Sequence, residues 1–324
     1  MRRREFIGLV GGAVVAWPLA ARGQQARVLR VGTAGIQPRT TAIYIAFLRR
    51  MAELGYEEGK NFVFEYVQVA NVDGYEGGYR EVARRGLDIV FASGPEIALK
   101  SAVAAAGPLP IVMVAVDFDP LVRGYVKSLA HPTGNLTGIF FQQIELTAKR
   151  LQLMKETLPD AQEILVFWDR ISADQWLAAK AAAPNLGLQL IGAEFRDQPY
   201  DYERALAEVP GGARRALVVL TSPVFAVPER ARLPEFARRH RMASMFSLRE
   251  YVNVGGLLSY GASFTAMYRH AAEYVGRIAH GTNPRDLPIE QPTKFELAVN
   301  LETARTIGVD LPPSILLRAD EVIE

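Results

Sequence analysis

The sequence predicts an α/β protein built from two doubly wound, parallel-sheet lobes joined by a hinge. The 324-residue chain has the length of two domains at roughly 100–200 residues each. Short β-rich runs alternate with helical stretches along it, and that alternation restarts once, after a long helix around residue 150. No Gly/Ser linker or low-complexity tract separates the two series, so hinge strands rather than a flexible tether should connect them.

The first series opens with a strand at 28–33 and a helix at 41–54 closed by Gly55. A strand at 62–69 precedes a helix at 75–85 ended by Gly86. Then come a strand at 88–92, an Ala-rich helix at 96–106 and the apolar run 111–116. Such continuous apolar runs suit strands buried on both faces of a parallel sheet. Residues 136–140 read as a fifth strand. A helix at 144–158 stops before Pro159. After it, strands at 163–168, 188–195, 216–220, 243–246 and 256–260 are interleaved with helices at 174–183, 200–208 and 228–241. A helix at 264–280, a strand at 295–300 and the tail cross back between the lobes. The chain thus divides into a leader at 1–23, an N-terminal lobe at 27–140 plus about 262–288, and a C-terminal lobe at 141–261 plus about 289–324.

The leader carries Arg2, Arg3, Arg4 and Arg22 against Glu5 alone, followed by the apolar run 7–16. That run has the length of a signal-peptide core and is short of the ~20 residues that span a bilayer. Ala21 and Gly23 form a small-x-small cleavage site with Gln24 as the mature start. Arg3-Arg4-Glu5-Phe6-Ile7 resembles the twin-arginine export motif; a general secretory signal and an uncleaved anchor are the alternatives. Export to the periplasm is the expected outcome. Of 37 Lys+Arg and 35 Asp+Glu, 33 and 34 lie outside the leader, so the remaining chain is nearly neutral and no nucleic-acid partner is expected. The chain has no Cys. That excludes a thiol nucleophile, a disulfide framework, Cys-ligated zinc, iron–sulfur clusters and a Cys-borne lipid anchor.

In open parallel sheets, ligands bind outside the carboxyl ends of the strands, and two lobes facing each other with those edges make a cleft. The first strands lead into Thr33-Ala34-Gly35-Ile36 and Asp169-Arg170-Ile171-Ser172. The third lead into Ser93-Gly94-Pro95 and Thr221-Ser222-Pro223, the fourth into Asp117-Phe118-Asp119 and Ser247-Leu248-Arg249. The Ser93 and Thr221–Ser222 junctions offer hydroxyls and backbone N–H groups that suit a carboxylate, or that simply cap their helices. Asp117 and Asp119 suit an ammonium or hydroxyl group; Asp119-Pro120 is equally a turn opener. Phe118, Trp168, Tyr251 and Tyr260 lie near strand ends, either to sandwich a flat ligand or to fill the core.

Enzyme chemistry has little support. His131, His240, His270 and His280 show no metal-ligand or catalytic spacing, and HExxH, G-x-S-x-G and Walker motifs are missing. No cofactor or metal is expected. Arg238-Arg239-His240-Arg241 reads as a solvated helix end.

Over essentially its whole length the chain resembles the exported substrate-binding proteins of ABC transporters in the tryptophan/tyrosine-type family. The resemblance is carried by Gly255-Gly256-Leu257-Leu258-Ser259-Tyr260-Gly261, Tyr268-Arg269, Ala272-Glu273-Tyr274-Val275 and the stretch from Asp286-Leu287-Pro288-Ile289-Glu290-Gln291-Pro292 to Leu297. Leu311-Pro312-Pro313-Ser314, Arg318-Ala319-Asp320-Glu321-Val322-Ile323, Asp119-Pro120 and Pro132-Thr133-Gly134-Asn135-Leu136-Thr137-Gly138 fit the same pattern. The resemblance implies a type I periplasmic binding fold that closes on a small-molecule solute like a flytrap. It further implies docking on an ABC permease with its ATPase; a monomer is expected. The chain departs from the family pattern at Asp117-Phe118-Asp119 and at Trp168-Asp169-Arg170. Those departures weigh against an ordinary tryptophan or tyrosine ligand, and the expectation is a small organic solute with a carboxylate, aromatic or an amino acid. The alternatives are the ligand-binding component of a membrane sensor and an exported hydrolase, the latter lacking a nucleophile–base pair.

Overall fold

The structure is a computed structural model and describes residues 28–324 except 133, 198, 227–228 and 294. The leader expected at 1–23 lies outside the described residues. In chain order the first lobe contributes β1 (Leu29–Gly35), α1 (Ala42–Glu53), β2 (Phe62–Gln68), α2 (Tyr75–Ala83), β3 (Ile89–Gly94), α3 (Glu96–Ala106), β4 (Ile111–Val116) and β5 (Leu136–Phe141). The second contributes α4 (Gln143–Thr157), β6 (Glu163–Asp169), α5 (Ala173–Ala182), β7 (Gln189–Phe195), α6 (Tyr202–Ala207) and β8 (Ala216–Val219). It continues with α7 (Pro223–Ala226), α8 (Arg232–Arg239), β9 (Ala243–Phe246), α9 (Arg249–Val252) and β10 (Leu258–Ala262). The chain then returns to the first lobe for α10 (Phe264–Ala279) and β11 (Ile289–Glu290). It ends in the second with β12 (Phe295–Asn300), α11 (Leu301–Ile307), α12 (Pro313–Leu316) and β13 (Glu321–Ile323).

The first sheet has the order β11-β5-β4-β3-β1-β2 and the second β13-β12-β10-β9-β8-β6-β7. All pairings in the first are parallel. In the second, β12 lies antiparallel to β10, so β12 and β13 form a reversed edge on an otherwise parallel sheet. Apolar runs explain the centre of each sheet: β4, Ile-Val-Met-Val-Ala-Val, is buried along nearly its whole length. Helices cover both faces. In the first lobe Phe47 and Met51 of α1 join Ala271 and Val275 of α10 on one face, and Tyr79 and Val82 of α2 join Leu99 and Ala102 of α3 on the other. In the second, Leu151 and Met154 of α4 lie on one face, and Tyr202 of α6 and Phe236 of α8 on the opposite one.

The chain passes between the lobes three times: between Phe141 and Gln143, between Ala262 and Phe264, and between Glu290 and Phe295. The third passage follows β11, close to the boundary expected at about 288–289. Ile289 and Glu290 pair with Gly138 and Ile139 of β5, extending the first sheet rather than the second. A two-residue strand has no periodicity to read. The helix expected at 228–241 begins only at Arg232, after the separate turn α7; Pro228 lies outside the described residues.

Candidate functional site

The carboxyl ends of the two sheets face one another across a narrow cleft with a cavity volume of about 110 Å³. Its walls are mostly apolar. Ile36, Ile43, Val116 and Phe264 come from the first lobe, Ile171 and Leu248 from the second. Three tyrosines, Tyr44 in the first turn of α1, Tyr75 at the start of α2 and Tyr268 of α10, add aromatic surface from the first lobe. Tyr44 and Tyr268 meet edge to face, with ring centroids 5.5 Å apart. Burial pushes all three phenols above their ordinary pKa, so they remain neutral hydrogen-bonding groups. The Ser93 hydroxyl interacts with both Tyr44 and Tyr268. Glycine is required beside them: a Cβ on Gly35 would lie 2.3 Å from the Tyr44 Oη, and Gly94, at φ +126°, leaves room for the Tyr75 hydroxyl.

Polar groups stand at the margins of this apolar box. Ser93 and Gly94 close β3, Thr221 and Ser222 follow β8, and Arg230 and Glu250 put one charge of each sign on the second lobe's wall. Thr221 Oγ1 is buried and has no hydrogen-bond partner among the described residues. Asp117 follows β4 in a left-handed conformation at φ +66°. Its N–H donates to the Phe141 carbonyl at 3.0 Å, and its Oδ1 accepts from the Gln143 N–H at 2.7 Å. Burial pushes its pKa up to about 7, opposed by the Gln143 N–H and the positive charge of Arg150 and reinforced by Asp174. Nearby, Arg150 is fully buried. Its Nε donates to the Tyr260 carbonyl at 2.7 Å, and Nη2 donates to the Gln143 side chain. Burial lowers the Arg150 pKa to about 10, partly offset by Asp117. Ile36 and Ile171 also line a second, more polar cavity with Asn71, Asp73, Asp169 and Arg170, so this pair of isoleucines stands as a wall between an inner and an outer chamber.

Of the residues singled out from the sequence, Ser93, Gly94, Asp117, Thr221 and Ser222 meet on the inner cleft. The others do not. Thr33 and Ala34 are fully buried within β1, and the cleft is reached instead by Ile36 and Gln37 just beyond it. Phe118 is buried against Tyr125. Trp168 stacks on Trp176 of α5, on a face of the second sheet, with centroids 5.8 Å apart. Tyr251 is buried and stacked on Phe246 at 4.4 Å. Tyr260 packs toward Phe295 and offers only its carbonyl, to Arg150. Asp169 lines the outer chamber but is committed locally. It accepts from the Ile171 and Ser172 N–H groups, both at 3.0 Å, and from the hydroxyls of Ser222 and Tyr200. Ser172 is fully buried and returns the Asp169 contact by accepting that residue's N–H at 2.9 Å. Ser222 therefore directs its proton at Asp169 and accepts from the Val224 N–H, capping its own turn. The cleft's aromatic residues Tyr44, Tyr75, Phe264 and Tyr268 were not anticipated. Their signal was position: each lies at or near the start of a helix that follows a strand end or a crossing.

Two α/β lobes linked by three crossings, with an apolar cleft between their carboxyl edges, define a bilobal binding protein of the type I periplasmic kind. The chain belongs to the family of ABC transporter substrate-binding proteins, which matches residues 37–323. It is 20% identical over 268 residues to the "Tyrosine-binding protein" of Clostridioides difficile strain R20291, covering 81% of this chain and 75% of that protein. Among solved structures, a conserved domain protein from Vibrio cholerae superposes with a TM-score of 0.80 at 23% identity, covering 91% of this chain and all of that one. An ABC domain in complex with L-Trp from Streptococcus pneumoniae superposes at 0.76 with 20% identity, covering 91% and 99%. The family is one of binding proteins rather than enzymes, with a small-molecule ligand and an ABC transporter as partners. Among the described residues no helix is long and apolar enough to cross a membrane, and no group of three or more His, Cys, Asp or Glu is arranged to hold a metal ion.

Proposed function

We propose that the protein captures a small organic solute with an apolar, aromatic body and a carboxylate, an aromatic amino acid being the first candidate, and delivers it to an ABC importer. The observation that carries this reading is the cleft itself: an aromatic and aliphatic box with hydroxyl and charged side chains at its edges. Apolar surface supplies affinity in such a site, and a few placed polar groups supply orientation. The tyrosine- and tryptophan-binding relatives support the same solute class. The arginine-rich leader supports export to the periplasm with cleavage before Gln24. Solute bridging the two lobes stabilises their closed arrangement, and that arrangement is what a permease recognises.

Thermal unfolding of the chain from Gln24 onward, refolded to strip carried-over solute, tests the reading against aromatic amino acids, branched amino acids, aromatic carboxylates and sugars. A solute at about a thousand times its dissociation constant stabilises the native state by roughly 4 kcal/mol. Stabilisation by aromatic acids is the expected result; stabilisation by sugars alone overturns the assignment. With the hit in hand, Thr221→Val should weaken binding about tenfold by calorimetry, the cost of one lost hydrogen bond, with the unfolding temperature unchanged.

A further inference from the structure

Gln175, in the first turn of α5, is fully buried and its side-chain amide reaches both lobes. Its Oε1 accepts the Thr221 N–H at 3.0 Å and its Nε2 donates to the Thr221 carbonyl at 2.8 Å, holding that residue's backbone from both sides. The same Nε2 donates to Asp117 Oδ2 at 3.3 Å, across the boundary between the lobes. Asp117 gives its other oxygen to the Gln143 N–H, on the first crossing.

We propose that Gln175 is the positioning residue that couples solute contact in the second lobe to closure of the first, by holding Thr221 and Asp117 with one amide. The inference rests on the reading of the cleft as the solute site. Its geometry separates two bonds to the same carboxylate. Gln143 lies on a crossing, close to any axis about which the lobes rotate, so its bond to Asp117 survives opening. Gln175 lies off the crossings, so opening breaks its bond to Asp117 first. An amide N–H donated to a buried carboxylate is a charge-assisted bond, and because only the closed arrangement makes it, it biases the equilibrium toward closure. A solute that orders Thr221 orders Gln175 with it. The charged and titratable groups around Asp117 are Arg150 from α4, Asp174 from α5, and Arg230 and Glu250 across the cleft. The Asp117 carboxyl, with its pKa near 7, is partly ionised at neutral pH.

The test uses the full mature chain with a pair of distance labels, one on each lobe, and L-tryptophan and L-tyrosine as probes. Without probe, Gln175→Leu should lengthen the inter-lobe distance, and with probe it should weaken binding by about tenfold. Gln175→Glu supplies a readout that packing alone would not move. At pH 8 both carboxylates are ionised and repel, so the lobes should stand open; at pH 5, below the Asp117 pKa of about 7, the pair of acids holds a proton, one donates to the other and closure should return. Wild-type distances in Gln175→Leu, or a pH-independent distance in Gln175→Glu, overturn the proposal. If Gln175→Leu does not fold, Gln175→Glu decides alone. If the wild-type chain binds neither probe, the aromatic amino acid reading fails, while the unliganded distances still decide the coupling.

Discussion

Asp117 holds a carboxylate at the margin of an apolar cleft, on a residue bent into the left-handed region, with a buried arginine nearby. Its pKa is raised from 3.8 to about 7, so between those values the native state binds more protons than the unfolded chain. Its contribution to stability is therefore fully present below about pH 4 and is lost as pH rises through 7. Asp117→Asn keeps an oxygen for the Gln143 N–H and removes the titration. The variant should match wild type in denaturant unfolding near pH 4 and exceed it at pH 8, with a ceiling of about 4 kcal/mol. A difference independent of pH would remove Asp117 as the origin. The same carboxylate distinguishes solutes: one with an ammonium group near Asp117 should bind more tightly as pH rises through 7, whereas an aromatic acid without one should not.

The elements show where sequence reasoning reaches and where it stops. Gly138 of β5 sits at φ +135°, and a Cβ there would lie 2.2 Å from the Met113 carbonyl oxygen on β4. Gly138→Ala should therefore cost at least about 3 kcal/mol, measured by chemical denaturation, since the obstacle is backbone and cannot swing aside. The central strands of both sheets were legible from their apolar runs, whereas the three-residue β13 in the tail was not. Nor was β11, because two residues carry no pattern. In the site, the glycine- and hydroxyl-bearing loops Ser93–Gly94 and Thr221–Ser222 were legible from their place after strands. The aromatic residues were not. A side chain at a strand end points to a face of the sheet, so Trp168 packs on Trp176 rather than into the cleft, and Tyr251, on the short helix α9, turns back onto Phe246 of β9. Cleft aromatics arise from helix starts, where Tyr75 and Phe264 project over the strand ends. Arg150 and Gln175 carry no sequence signal, because their roles depend on partners 110 and 46 residues away.

For the whole molecule, the three crossings mean that neither lobe is one continuous segment. One face of the first sheet is covered by α1 alone until α10 is added beside it, and Phe47, Phe64 and Phe91 pack in the same cluster as Tyr268 and Val275 of α10. During synthesis the chain from Gln143 to Ala262 must be made in between. At ~5–20 residues per second this leaves that face of an early half-domain only partly covered for on the order of ten seconds. A nascent protein in that interval is a client for holding factors and a hazard for aggregation, so expression yield should respond to chaperone supply more than native stability alone would suggest. Ribosome-bound chains ending at residue 262 should lose the first lobe to limited proteolysis, whereas chains extended past residue 290 should protect it. The lobe made first is thus the one that finishes late, and the pace of translation through the second lobe becomes part of how the protein reaches its native state.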